Sequence, residues 1–358
     1  MMKRLSFVCL FFISFMLVSQ TNSSLKTDSI SNNIRTNRII DSLNHNDGPY
    51  MFIDKEKIIE KNIVNGNVET KILELNTINT EFEYDLFIYH NVPKIAVISD
   101  VHGQYDLTFK ILKNNHIIDE HLNWVFGKGH LVIVGDIFDR GPKTTELLWL
   151  VYNLEKQAEH NGGKVHFILG NHEFMVMQND LRYINKKYWL TSKLLNTPYN
   201  ELYGKETVLG RWLRSKNTIL KIDDNLFLHA GISEVFISNG FSLEETNQKM
   251  RQSLFEDDSE PMWHTLYDKY YDNNGPIWYR GYFSADFKKS DINKLLRKLD
   301  VNHVIVGHTS QKQIESLFHN KILAVDSSIK NGVYGEMLFI ENGTYYRHTM
   351  EGYIIELH

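Results

Sequence analysis

Short apolar runs in this chain repeatedly stop at side chains that bind metal. Residues 95–99 end in Asp100-Val101-His102, and residues 131–135 in Asp136, followed by Asp139-Arg140-Gly141. Residues 165–170 end in Asn171-His172-Glu173, residues 226–228 in His229-Ala230-Gly231, and residues 304–307 in His308-Thr309. Asp100 and His102 are two apart, so on an extended strand end they point to the same side. Carboxylate, imidazole and amide oxygen without thiolate suit Mn, Fe, Zn or Ni rather than a structural zinc cage. Asp100, His102, Asp136, Asn171, His229 and His308 are enough for two ions, provided one carboxylate bridges them. Two metals about 3.5–4 Å apart form a clamp for phosphoryl chemistry. A water held between them loses a proton near neutral pH, and the resulting hydroxide attacks phosphorus in line with the leaving oxygen.

The runs at 95–98, 131–134, 165–169, 226–228 and 304–306 read as buried strands, with 323–325 and 337–340 following. Amphipathic stretches at 107–114, 143–160 and 291–299 lie between them. This alternation predicts an α/β sandwich of central sheets flanked by helices. The carboxyl ends of its strands form the edge where ligands gather. Glycines at 135, 170, 231 and 307 let the backbone turn sharply there. Ahead of the sandwich, residues 57–64 and 68–75 flank Asn65-Gly66, a hairpin turn signal, and predict a small β appendage. The expected organisation is a signal over 1–20, a linker and β appendage over 21–90, and a catalytic domain over 91–350. Within it, 173–224 is read as a helical cap. Its Tyr183, Tyr188, Trp189, Tyr199, Tyr203 and Trp212 either wall a cleft for an aryl phosphate or form the cap's own core; the second is favoured for most.

The chain has 358 residues, of which 42% are hydrophobic and 23% charged, enough for a large core and against wholesale disorder. The net charge is −5, which disfavours a nucleic-acid binder held by a basic surface. Lys3 and Arg4 precede an apolar stretch over residues 5–18, short of the roughly 20 residues that span a bilayer. It fits a secretory signal, with a retained membrane anchor as the alternative. The expected mature protein is exported and not stably inserted in a membrane. The single cysteine, Cys9, lies inside this run, so removing it excludes disulfides and cysteine chemistry.

The order Asp-x-His, Gly-Asp-x-x-Asp-Arg, Gly-Asn-His-Glu, His-Ala-Gly and Gly-His resembles the calcineurin-like metallophosphoesterases, over about residues 92–340. Ser99-Asp100-Val101-His102-Gly103, Gly135-Asp136-Ile137-Phe138-Asp139-Arg140-Gly141 and Gly170-Asn171-His172-Glu173 look like the phosphoprotein phosphatase branch. Within that branch the chain is most similar to the Shewanella-like protein phosphatases. Val306-Gly307-His308-Thr309, Ile168-Leu169 ahead of Gly170, Val325-Asp326-Ser327-Ser328 and Asp47-Gly48-Pro49-Tyr50 carry that similarity. The resemblance implies a four-layer sandwich and a preference for phosphotyrosine. It implies a first metal on Asp100, His102 and Asp136, and a second on Asp136, Asn171, His229 and His308, with Asp136 bridging.

His172 is then expected to be the general acid, worth about 10²–10⁴-fold in rate, with Asp139 orienting its imidazole. Arg140 and Arg280 are expected to clamp phosphate with paired guanidinium donors, and Arg211 and Arg214 compete for a third position. His303 and His319 receive no role, and His45, His90 and His121 are expected at the surface. The function expected is a dimetal phosphomonoesterase acting on a phosphorylated protein or small phosphoester. The alternatives are a dinucleoside polyphosphate hydrolase, which shares Gly-Asp-x-x-Asp-Arg-Gly-Pro and His-Ala-Gly, and a noncatalytic scaffold on the same fold.

Overall fold

A computed structural model describes residues 44–255 and 269–358. The signal segment 1–20 and most of the polar linker lie outside the described residues. The chain enters through three antiparallel strands, β1 (Asp47–Asp54), β2 (Lys57–Val64) and β3 (Asn67–Glu74), paired in that order. The turn between β2 and β3 is Asn65-Gly66, with φ of 50° and 76°, as a two-residue hairpin of matching twist requires. β1 lies partly in the stretch read as linker.

Two six-stranded sheets follow. In chain order their strands are β4 (Ile88–Tyr89), β5 (Lys94–Ile98), β6 (His130–Val134), β7 (Lys164–Ile168), β8 (Ile219–Ile222), β9 (Asn225–Leu228), β10 (His303–Val306), β11 (Glu315–Leu317), β12 (Ile322–Ala324), β13 (Glu336–Glu341), β14 (Thr344–Thr349) and β15 (Ile354–Leu357). One sheet runs β15-β14-β13-β5-β6-β7 and the other β11-β12-β10-β9-β8-β4. β5, β6 and β7 are parallel, as are β9, β10 and β12.

Period-two alternation decides which way each side chain faces. Ile95 and Val97 join Val132, Val134 and Ile168 against Leu220, Phe227, Ile305 and Leu323 between the sheets. Ala96, Ile98, Leu131 and Ile133 belong to the other buried cluster, with helical residues. The helices are α1 (Tyr105–Asn114), α2 (Thr144–His160), α3 (Asn171–Met177), α4 (Lys186–Leu195), α5 (Val208–Arg214), α6 (Glu234–Ser238), α7 (Leu243–Ser253) and α8 (Lys289–Leu299). The outcome is the expected helix–sheet–sheet–helix sandwich with an N-terminal β sheet.

Two boundaries differ from the sequence reading. β4 pairs in parallel with β8, so residues 88–89 belong to the sandwich rather than to the appendage. β15 carries the first sheet past residue 350. The segment 173–224 is helical through α3, α4, a 3-10 turn at Asn200–Tyr203 and α5, and then becomes β8. Among the described residues, no helix is long and apolar enough to cross a membrane.

Candidate metal centre and active site

The loops after β5 and β6 are tied to one another through their backbones. Asp100 donates its N–H to Gly135 O at 3.1 Å, His102 to Asp136 O at 2.9 Å, Gly103 to Ile137 O at 2.9 Å and Gly141 to His102 O at 2.9 Å. Asp100, His102, Asp136, Asp139, Arg140 and His308 all have positive φ, from 42° to 72°. Each such conformation costs a non-glycine residue of the order of 1–3 kcal/mol, and it survives only where the surroundings over-determine it. Close approach explains Gly170: a Cβ there would lie 2.3 Å from Asp136 Oδ1 and 2.8 Å from His229 Nδ1.

With the segments after β7, β9 and β10, those loops bring the six expected ligands to one buried point. Asp136 Oδ2 lies 3.5 Å from His102 Nε2 and 3.3 Å from His229 Nε2. Asp100 Oδ1 is 4.0 Å from His102 Nε2. His229 Nε2 also faces Asn171 Oδ1 at 2.9 Å and His308 Nδ1 at 3.2 Å. The second nitrogen of two of these rings is already committed: His102 Nδ1 donates to Phe138 O at 2.7 Å, and His229 Nδ1 to Val134 O at 2.8 Å. Their Nε2 atoms therefore turn inward, toward carboxylate and amide oxygens. Once His229 gives up its proton, this buried set of nitrogen and oxygen donors fits cations between them. Asp136 joins two candidate groups, one with His102 and His172 and one with His229 and His308, as a carboxylate shared by two sites would.

The electrostatics agree. Burial would drive His229 down, but the Asp136 and Asp100 carboxylates outweigh it and hold the ring up to about 10, the mark of a strongly negative pocket. Burial takes His102 down to about 3 and, with His229 and Arg280 nearby, His308 down to about 2. Burial alone would raise Asp136, yet His229 and His172 hold it well below the ordinary range, so it is ionised.

His172 opens α3. Its Nδ1 hydrogen-bonds Asp139 Oδ2, and its Nε2 points at Asp136 Oδ2, 3.8 Å away. Burial lowers its basicity, but Asp136 and Asp139 outweigh that and leave it raised, which favours a proton-carrying ring at the edge of the cluster. Arg280 reaches the same edge, donating from Nη1 to His308 O and to Thr309 Oγ1, each at 3.0 Å. Arg140 is exposed, with its guanidinium 5.3 Å from the Tyr183 ring centroid; that ring lies 5.4 Å from His172.

Arg211 and Arg214 are not brought to this edge. Arg211 pairs with Glu81 at 2.6 Å and Glu206 at 3.2 Å. Arg214 is buried, and its Nη1 donates to Tyr203 O at 2.7 Å and Gly210 O at 3.0 Å. Both are committed within the cap and its flank, so their reading as phosphate ligands is corrected. His45 is also corrected from surface to interior.

Glu173 is a residue whose role sequence reasoning missed. It is fully buried and accepts N–H groups from Gly170 at 2.7 Å, Asp136 at 2.8 Å and Ile137 at 2.7 Å. The available signal was its place three residues after Gly170, the spacing of a side chain that reaches back to a helix start.

A buried dimetal-type donor set on the strand ends of a four-layer sandwich, with an imidazole–carboxylate pair beside it, defines a metal-dependent phosphoesterase. Residues 93–312 match the family model described as calcineurin-like phosphoesterase. The chain belongs to that family and is a metal-dependent phosphatase. It is 40% identical, with a TM-score of 0.82, to a crystal structure of the cold-active protein-tyrosine phosphatase of a psychrophilic Shewanella species, covering 87% of this chain and 99% of that one. It is 26% identical over 285 residues to the Shewanella-like protein phosphatase 1 of Plasmodium berghei, covering 77% of this chain and 75% of that protein. A symmetrical bis(5'-nucleosyl)-tetraphosphatase of Buchnera aphidicola is 32% identical over 144 residues, but these cover only 39% of this chain and 45% of the enzyme.

Proposed function

We propose that this protein is a protein phosphatase that prefers phosphotyrosine. The observation that carries the reading is a pair of aromatic rings flanking the metal-type cluster. Tyr183 lies 5.4 Å from His172 on one side, and Trp278 lies 5.6 Å from His308 on the other. On the Trp278 side opens a cleft of about 430 Å³, lined among others by Asn171, Met175, Gln178, Tyr271 and Trp278. Flat apolar walls beside a phosphate-directed site favour a planar aryl group over an alkyl one. The likeness to the Shewanella tyrosine phosphatase supports the same substrate.

Asp100, His102 and Asp136 would hold one cation, and Asp136, Asn171, His229 and His308 the other; manganese, iron or zinc suits this donor set. Two cations there supply Lewis-acid activation of water and charge neutralisation at the phosphoryl group. Arg140 and Arg280 orient the phosphoryl oxygens. His172 Nε2 holds the proton that the leaving oxygen needs, and Asp139 keeps that ring in register. We further propose export of the mature chain after removal of residues 1–20, which N-terminal sequencing of the secreted product tests.

Turnover on a phosphotyrosine peptide, a phosphoserine peptide and a dinucleoside tetraphosphate, with the metal-loaded protein, decides the substrate. The expected order puts phosphotyrosine first, and Tyr183→Ala narrows its lead by about 10-fold. A dinucleoside substrate turned over faster than either peptide contradicts the reading.

A further inference from the structure

We infer that Asp47, in the N-terminal sheet, is a positioning residue for the phosphate clamp, acting on the Arg140 loop through α4. Asp47 opens β1, and its carboxylate is fully buried. Oδ2 accepts from Tyr50 Oη at 2.8 Å and from Thr191 Oγ1 at 2.5 Å, and Oδ1 lies 3.1 Å from Lys187 Nζ. The hydroxyls around it form a directed chain. With Tyr50 donating to Asp47, Thr145 Oγ1 donates to Tyr50 at 3.0 Å, and Tyr203 Oη to Thr145 at 3.3 Å. With Thr191 donating to Asp47, His45 Nε2 donates to Thr191 at 2.8 Å. Trp149 Nε1 closes the seam by donating to Pro49 O at 2.8 Å. The cluster fastens β1 to α2 and to the first turns of α4, with one anion as its terminal acceptor.

The start of α4 also holds the Arg140 loop. Tyr188 Oη accepts from Thr144 N at 2.7 Å and donates to Pro142 O at 3.0 Å. Asn185 caps α4 by accepting from Lys187 N at 3.0 Å, and its Nδ2 donates to Arg140 O at 2.7 Å. Arg140 N donates to Tyr183 O at 3.0 Å. Both backbone groups of Arg140, whose φ is +63°, are thus held from the α4 side. Lys187 and Thr191, which Asp47 grips, and Asn185, Tyr188 and Tyr183, which grip the loop, lie on or immediately ahead of one helix. Replacing Asp47 by Asn leaves one acceptor oxygen where the carboxylate had two, turns an amide N–H2 toward either Lys187 or the hydroxyl chain, and leaves the half-buried Lys187 with Glu146 alone, at 3.3 Å; the loosened helix start carries Arg140 with it.

The inference rests on the phosphatase reading. The test uses Asp47→Asn and Asn185→Ala in the full chain, metal-loaded, assayed on p-nitrophenyl phosphate with inorganic phosphate as competitor. Both variants are expected to keep the wild-type metal content. KM and the phosphate inhibition constant should rise together by about 10-fold, with kcat changing less. The double variant should lose less than the product of the two single effects. Asn185→Ala tests only the link from α4 to the loop; if Asp47→Asn does not fold, Thr191→Val, which removes the hydroxyl that ties α4 to Asp47, decides the matter by the same rise in KM and inhibition constant. Wild-type KM and inhibition constant in the folded variants, whatever their thermal stability, would overturn the inference and leave Asp47 as structural cement. No turnover by the wild type on any phosphoester removes the phosphatase reading itself.

Discussion

At the scale of single residues, the site is a problem of where protons sit. Buried imidazoles at His102 and His308 are held down to about 3 and about 2, so both keep free lone pairs at neutral pH. His172, one residue after the ligand-type Asn171, is pushed the other way by Asp136 and Asp139. His102 and His308 thus differ from His172 by environment, whereas His229, held up to about 10 by Asp136 and Asp100, would give up its proton when a cation binds. Replacing His172 by Asn should leave the metal content unchanged and lower kcat on a phosphotyrosine peptide by about 10²–10⁴-fold; undiminished kcat removes its role as acid. Glu173→Gln keeps the shape but puts an amide N–H2 in place of one of the two oxygens on which the N–H groups of Asp136, Ile137, Phe138 and Gly170 converge. Its metal affinity, read by competition with a chelating dye, should fall about 10–100-fold.

At the scale of elements, the loops carry conformations that strands and helices do not. Gly170 has no room for a side chain, since a Cβ would sit 2.3 Å from Asp136 Oδ1. Gly170→Ala should therefore displace the bridging carboxylate, and metal content and activity should be lost together; full metal content in the variant would show that the loop yields. The ligands were legible in the sequence because each sits at the end of an apolar run, in a short motif whose residue types do not suit a core. The parallel strands were legible for the same reason. What was not legible depends on distant partners: Arg211 meets Glu81, 130 residues away, and Asp47 meets Thr191, 144 residues away. Nothing local in Arg211 or Arg214 separates an arginine that binds phosphate from one that ties down a carbonyl. Nothing local in His45 shows that the polar lead-in ends inside the protein.

At the scale of the molecule, a second histidine pair lies away from the reaction. His166 Nε2 and His130 Nδ1 are 2.9 Å apart on β7 and β6. Burial lowers His130 to about 4 and takes His166 well below its ordinary value. Both groups bind fewer protons folded than unfolded. The stability they allow is therefore present above about pH 6.5 and is lost as the pH falls toward 4. The melting temperature should drop between pH 7 and pH 5, and more steeply in the wild type than in a His130→Leu/His166→Leu variant. Parallel slopes would place the acid sensitivity elsewhere.

The whole sandwich serves to bring side chains from five strand ends around one buried carboxylate. The most direct test is elemental analysis of the purified chain after metal loading and removal of excess ions, for the wild type and Asp136→Asn. Two equivalents of metal per wild-type chain are expected, with metal and phosphatase activity both largely lost in the variant. A single equivalent in the wild type, or two equivalents and intact turnover without the Asp136 carboxylate, would contradict this.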